Sequence, residues 1–280
     1  MTFSLPLGNN SLPMRLVTAL LLIIWMGPSA LAAQHDNALS EKAFASPHGL
    51  MAIFGEDDRT PMVFKDGFWK KIGKLVLRDH FFETKSCTAT LVGERLILTA
   101  AHCLIDPSTG LAYSGGIDFL ANERNGKNLG SSGVDGYVFG NLESERGDWA
   151  IAILKEPLGQ TLGYFDLANS LPGATLISVG YSADYQKGKY ATIHAHCNIR
   201  EKQNELIKHD CDTKVGNSGG PLLVIRTQIS KQEPAGVYLT GVHSQGSEET
   251  YKNFDLEKAN IAVSVEKIIP ELIRLRNLTQ

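Results

Sequence analysis

Little in this 280-residue sequence commits it to a polymer or a bilayer. Lys and Arg number 27 against 30 Asp and Glu, a net charge of −3. Without a basic surplus there is no electrostatic case for nucleic acid or an anionic membrane as partner. The chain has no internal repeat and no low-complexity tract, which sets aside repeat architectures and fibrous chains. No long helical period is present before the C-terminus. The longest apolar run, Leu16 to Met26, has eleven residues, where a membrane span needs about 20. At 43% hydrophobic and 20% charged, the remainder has ordinary globular composition.

The short apolar run has a context. Arg15 precedes it and Ala30-Leu31-Ala32 closes it, small at both positions that matter for a signal peptidase. This predicts a signal peptide over 1–32, with Met14 as an alternative start and an uncleaved anchor as the competing reading. Residues 33–51 are polar and without clear periodicity, which suits a pro-segment or loose arm. The expected location is secreted or periplasmic, with no membrane association after signal cleavage.

Cysteine is scarce: Cys87, Cys103, Cys197 and Cys211. An even number in an exported chain predicts disulfides, and four cysteines allow three pairings. A zinc site is the competing reading. His194 and His196, as alternate residues, would share one strand face and join Cys197, His209 and Cys211. The oxidising compartment favours bridges, so no metal and no cofactor are expected.

What is abundant is short apolar runs: "KLVLRD", "TATLVG", "RLILTAAHC", "WAIAILK", "TLISVGY", "PLLVI", "VYLTGVH" and "NIAVSV". They are rich in Val, Ile, Leu and Thr and separated by Gly, Asn, Asp and Pro, the pattern of antiparallel strands. Regular short strands over this length predict a barrel or sandwich pair. Only "VEKIIPELIRLRNL" has helical spacing, with Pro270 marking a first turn or a kink.

Three islands carry chemistry. "LTAAHC" holds His102, "GDWAIAIL" holds Asp148 at the edge of an apolar strand, and "HDCDTKVGNSGGPLL" holds Ser218 among glycines. A serine hydroxyl needs a base, and imidazole has the right intrinsic pKa. The imidazole needs a buried carboxylate to hold its tautomer. Glycines beside the serine free backbone amides, here those of Gly216 and Ser218, to form an oxyanion hole.

In this order the three islands resemble the signature blocks of chymotrypsin-like, trypsin-fold serine proteases. The resemblance runs from about Ile53 to Leu275. It implies an all-β fold of two antiparallel six-stranded barrels, spanning 52–160 and 161–280, with the site between them and a C-terminal helix. It implies His102 as base, Asp148 as its orienting carboxylate and Ser218 as nucleophile. It implies the bridges Cys87–Cys103 and Cys197–Cys211. "TGVHSQG" resembles the strand that pairs with substrate, with Ser244 supporting Asp148 and Gln245-Gly246 bonding an extended peptide.

Asn217 stands where trypsin has the Asp that receives the new N-terminal ammonium, so activation by that ion pair is not expected. "GNSG", together with Asp58-Arg59, resembles the bacterial glutamyl-endopeptidase-like branch, with a mature start near Met51 to Ile53. Specificity points two ways. Asp212 stands where trypsin has its pocket carboxylate, which predicts a basic substrate side chain. Thr213 and His243 stand where glutamyl-specific enzymes bind an acidic one, and Lys214 replaces a pocket cysteine. The balance leans to acidic. The expectation is a monomeric serine endopeptidase acting on protein or peptide; the alternative is a catalytically inactive binding protein on the same fold.

Overall fold

A computed structural model of the chain describes residues 52–279, apart from 65, 80–83, 107–109, 143, 228–234 and 248. The expected signal peptide and pro-segment, and Met51, lie outside the described residues. The apolar runs named above all fall on strands, and most strands end where Gly, Asn, Asp or a charged turn interrupts the pattern.

The first barrel comprises β1 (Ile72–Arg78), β2 (Thr84–Leu91), β3 (Leu96–Thr99), β4 (Ile117–Ala121), β5 (Gly130–Phe139) and β6 (Ala150–Leu154). They close in the order β6-β3-β2-β1-β4-β5, with β5 returning to β6. The second comprises β7 (Thr175–Gly180), β8 (Thr192–Gln203), β9 (Leu206–His209), β10 (Pro221–Arg226), β11 (Gly236–Gln245) and β12 (Asn260–Ser264). Their order is β7-β10-β11-β12-β9-β8, closed by β8 against β7. Counted from its own first strand, each barrel has the same cyclic order, so a topology repeats that the sequence does not. Every strand pairing within both barrels is antiparallel.

The pleat sorts side chains into three cores. Leu75, Leu91, Phe119, Ala150, Ala152 and Leu154 fill the first barrel. Leu176, Ile199, Ile207, Leu222 and Ala262 fill the second, around Cys197 and Cys211. A third layer lies where the barrels meet and contains Leu98, Ile151, Val179, Tyr181, Leu223 and Val242. This explains why "LILT" and "AIAIL" are apolar at successive residues: one face fills a barrel and the other faces the second barrel. The terminal helix α1 (Ile269–Leu278) has Pro270 in its first turn, where the missing N–H costs nothing. Leu272 and Leu275 reach the shared layer, and Arg276 donates to the carbonyls of Val92 and Phe165.

Two expectations are corrected. His194 and His196 do not share a face: the pairing shifts register between β7 and β8 at this point, and His196 takes a φ of +68°, so His194 is buried and His196 exposed. The N-terminal residues, assigned by sequence position to the first barrel, are bonded to the second. Thr60–Pro61 pairs with Thr192 and Ile193 of β8, and Ile53–Phe54 pairs in parallel with Thr250–Tyr251. Main-chain partners, which no side-chain pattern reveals, decide this.

Candidate active site

His102 lies in the single 3₁₀ turn Ala101–Cys103 that ends β3, and Asp148 caps the turn Glu145–Gly147 that leads into β6. Because β3 and β6 are neighbours in the first barrel, the two turns emerge side by side. The Asp148 carboxylate accepts from the His102 amide at 3.0 Å and meets His102 Nδ1 at 2.8 Å. Ser244 Oγ, from β11 of the other barrel, donates to the same carboxylate. Burial opposes ionisation of Asp148. The charge of His102 and the hydrogen bonds from its ring, from Ser244 and from the His102 amide outweigh it and hold the carboxyl at about 2. Burial likewise opposes protonation of His102, but the Asp148 charge and hydrogen bond win and raise its pKa. The carboxylate therefore orients the ring through Nδ1 and stabilises its cation.

Ser218 sits between β9 and β10, in a turn seated on the first barrel. Thr88 of β2 donates its amide to the Ser218 carbonyl at 2.8 Å and its hydroxyl to the Gly216 carbonyl at 2.8 Å. Thr99 Oγ1 in turn donates to the Thr88 carbonyl. Gly219, at φ +77°, passes so close that a Cβ there would lie 2.0 Å from Thr99 Oγ1. Gly216 has φ +101°, a conformation that a side chain would strain. The Val215 carbonyl accepts from the Ala183 amide and the Asn217 carbonyl from the Gly220 amide. In a trans peptide the N–H points opposite to its C=O. The amides of Gly216 and Ser218 are thus both directed away from the residues that pin those carbonyls. The residue that sequence reasoning missed is Thr88. Its signal was a threonine beside Cys87 in the buried half of its strand.

Both expected bridges are present, Cys87–Cys103 with Cα atoms 6.1 Å apart and Cys197–Cys211 at 4.8 Å. The first ties the His102 turn to β2; the second lies in the second barrel's core. Zinc therefore has no thiolate to bind at Cys197 or Cys211.

The specificity candidates separate. Asp212 is 1% exposed, and its carboxylate accepts from the amides of Phe54 at 2.9 Å and Asp58 at 3.0 Å. It anchors the N-terminal segment. Its neighbour Thr213 donates its amide to the Ala52 carbonyl, and Thr213 Oγ1 is buried without a hydrogen-bond partner among the described residues. His243 is fully buried on β11, with main-chain bonds to Gly219 and Gly220. Its Nδ1 lies 3.1 Å from His209 Nε2, while its Nε2 is buried without a hydrogen-bond partner among the described residues. Burial and the nearby His102 charge hold its pKa down to about 3. Gln245 ends β11 and Gly246 follows it, at the rim of the same strand.

Two barrels of identical strand order, one carrying a bonded His–Asp pair and the other a glycine-bounded serine, define the chymotrypsin-type fold class. The trypsin family model matches residues 69–269, and the chain belongs to that family. It is 27% identical over 229 residues to a glutamyl endopeptidase of Bacillus licheniformis, covering 75% of this chain and 66% of that protein. It is 28% identical over 195 residues to mouse serine protease 23, covering 57% of this chain and 50% of that one. The chain thus spans about half to two-thirds of these curated relatives. Among solved structures it resembles a Glu endopeptidase in complex with MPD, with a TM-score of 0.63 at 21% identity over 80% of this chain and 98% of that one. It also resembles the protease Anisep from Arthrobacter nicotinovorans, with a TM-score of 0.55 at 17% identity over 75% and 92%.

Proposed function

We propose that the protein is a serine endopeptidase that hydrolyses peptide bonds through Ser218, His102 and Asp148. The observation that carries this reading is the buried Asp148 carboxylate bonded to His102 Nδ1 and to Ser244. That arrangement leaves His102 Nε2 as the basic atom. Ser218 Oγ attacks the substrate carbonyl carbon while His102 Nε2 takes the hydroxyl proton. The developing oxyanion is held by the amides of Gly216 and Ser218. The C–N bond then breaks, and His102 returns its proton to the leaving amine. Water hydrolyses the acyl-enzyme by the same steps in reverse roles, releasing the acid and free Ser218.

The substrate side chain entering beside the acylation site is acidic in this reading. A buried Thr213 hydroxyl and a buried His243 Nε2 flank the Ser218 turn and lack a hydrogen-bond partner among the described residues. Leaving such groups unpaired costs about 1–3 kcal/mol each, which a substrate carboxylate would recover. Asp212, occupied by two main-chain amides, offers a substrate cation nothing. Gln245 and Gly246 would bond the substrate main chain as an added strand. Residues 1–32 serve as signal peptide and 33–51 as a removed pro-segment. The mature enzyme acts as a monomer, secreted or periplasmic, where its two disulfides are stable.

Ser218→Ala removes turnover of a peptide library and labelling by a fluorophosphonate, with an unchanged circular dichroism spectrum. Wild-type cleavage falls after Glu or Asp. Wild-type protein, freed of its pro-segment, that neither cleaves nor labels is a binding protein on a protease fold. Cleavage after Arg or Lys sinks the acidic assignment alone.

A further inference from the structure

Arg59 lies on the N-terminal segment, far from Ser218 in sequence, yet its side chain is only 5% exposed. Its guanidinium makes a fork to each of two carboxylates. Nε and Nη2 donate to Asp57 at 2.8 and 2.7 Å, and Nη1 and Nη2 donate to Asp184 at 3.2 and 2.6 Å. One further bond from Nη1 goes inward, at 3.0 Å, to Ser182 Oγ. Ser182 is fully buried, and its hydroxyl donates to Asn217 Oδ1 at 2.5 Å. The nearby Thr192 hydroxyl, 3.1 Å from Ser182 Oγ, has its own acceptor in the Gly180 carbonyl. The single Ser182 proton is therefore committed to Asn217, and the relay has one direction: guanidinium to hydroxyl to amide oxygen.

Asn217 is the residue between the two amides that point toward the proposed oxyanion. The φ and ψ of Asn217 set the peptide planes on either side of it, and a side chain held by Ser182 restrains that backbone from turning. Two carboxylates outside and a packed hydroxyl inside hold the guanidinium in place. The segment carrying it is itself pinned by Asp212 through the Phe54 and Asp58 amides and by Thr60–Pro61 pairing with β8.

We propose that Arg59 is a positioning residue for the oxyanion hole, acting through Ser182 on Asn217. It supplies a charge-assisted tether to the turn from within the folded segment, where a carboxylate at position 217 would have required an ammonium partner. The inference rests on the serine endopeptidase reading above. An oxyanion hole serves the transition state, so loss of its alignment lowers kcat and leaves substrate binding alone.

The experiment uses purified wild-type protein that turns over a peptide ester, compared with R59M, R59K, S182A and D184N. Removing one oxyanion donor outright costs about 100-fold or more in kcat, and misaligning one costs less. R59M and S182A are expected to lower kcat about ten- to a hundredfold with KM within about twofold, and to weaken a peptide boronate inhibitor by the same factor. R59K recovers part of the loss, and D184N, which keeps the inward bond, stays near wild type. S182A is decisive because it leaves both Arg59 forks intact. If S182A and R59M shift only the thermal midpoint and keep wild-type kcat and boronate affinity, Arg59 is a structural strap and the proposal is overturned. A wild-type protein without turnover or boronate binding instead overturns the reading on which it rests, a result distinguishable before any variant is made.

Discussion

The proposed base carries its pH response in its immediate neighbours. Asp148 raises the His102 pKa above the ordinary imidazole value of 6.5, so the ring keeps its proton to higher pH. Catalysis requires the neutral ring, so kcat/KM rises with pH through a midpoint above 6.5. Asp148→Asn removes the charge that holds the proton and the acceptor that fixes the tautomer. With burial then unopposed, its expected pH–rate profile has a midpoint moved down to below the ordinary 6.5 and a plateau lowered about a thousandfold or more. A midpoint unmoved in that variant would remove His102 from the role of base. These residues were legible because each sits in a short motif whose chemistry needs few neighbours. Thr88 and Ser182 were not, and Arg59 showed only as part of a resemblance with no partner, because the partners lie far along the chain: Thr88 bonds Gly216 across 128 residues and Arg59 bonds Ser182 across 123. Asp212 too has partners far along the chain. Counting from Ser218 places its backbone, but the amides of Phe54 and Asp58 decide where its carboxylate is used.

At the scale of elements, the strands that sequence exposed best are those buried on both faces, since both faces must then be apolar. The polar, bulged β8 and the glycine- and serine-rich β5 carry a weaker pattern, because ladder pairing to their neighbours holds them more than apolar side chains do. The turns are held by cross-links of another kind. Cys87–Cys103 closes a loop with a sequence separation of 16 residues, worth about 3 kcal/mol against the unfolded chain. Cys87→Ala with Cys103→Ala is expected to lower stability to urea by about that amount. It should also lower kcat more than the lost folded fraction explains, since the bridge fixes the His102 turn. Equal losses in both would make the bridge purely a stabiliser.

For the whole molecule, the second barrel brings a pair of buried histidines that must stay neutral. His243 is held at about 3 by burial and by the charge of His102, and His209 well below its ordinary value by burial and by His243 and His194. The unfolded chain binds protons at these rings below about 6.5, and the folded chain does not until far lower pH. The unfolded state then carries more protons, so stability falls on acidification from 6.5 toward 3. Asp148 adds stability present above the ordinary 3.8 and lost as pH falls through about 2. His102, with a raised pKa, acts oppositely: its contribution is full below 6.5 and is lost as pH rises through its folded value. The two depressed histidines outweigh it, and the urea midpoint should drop steeply between about pH 6.5 and 4. His209→Gln, which keeps a donor for His243 Nδ1, should flatten that slope. An unchanged slope would show that other groups govern acid unfolding.

The main-chain bond from Thr88 to Ser218 adjoins Cys87, and Cys87 is joined covalently to the residue beside His102. His102 and Ser218, which come from different barrels, are thus linked by a circuit of one backbone hydrogen bond and one sulfur–sulfur bond. Its weakest member under reducing conditions is the sulfur bond. The redox potential of the surroundings is in this sense a component of the site's geometry: an oxidising medium closes the circuit, and a thiol reductant opens it on the side of His102.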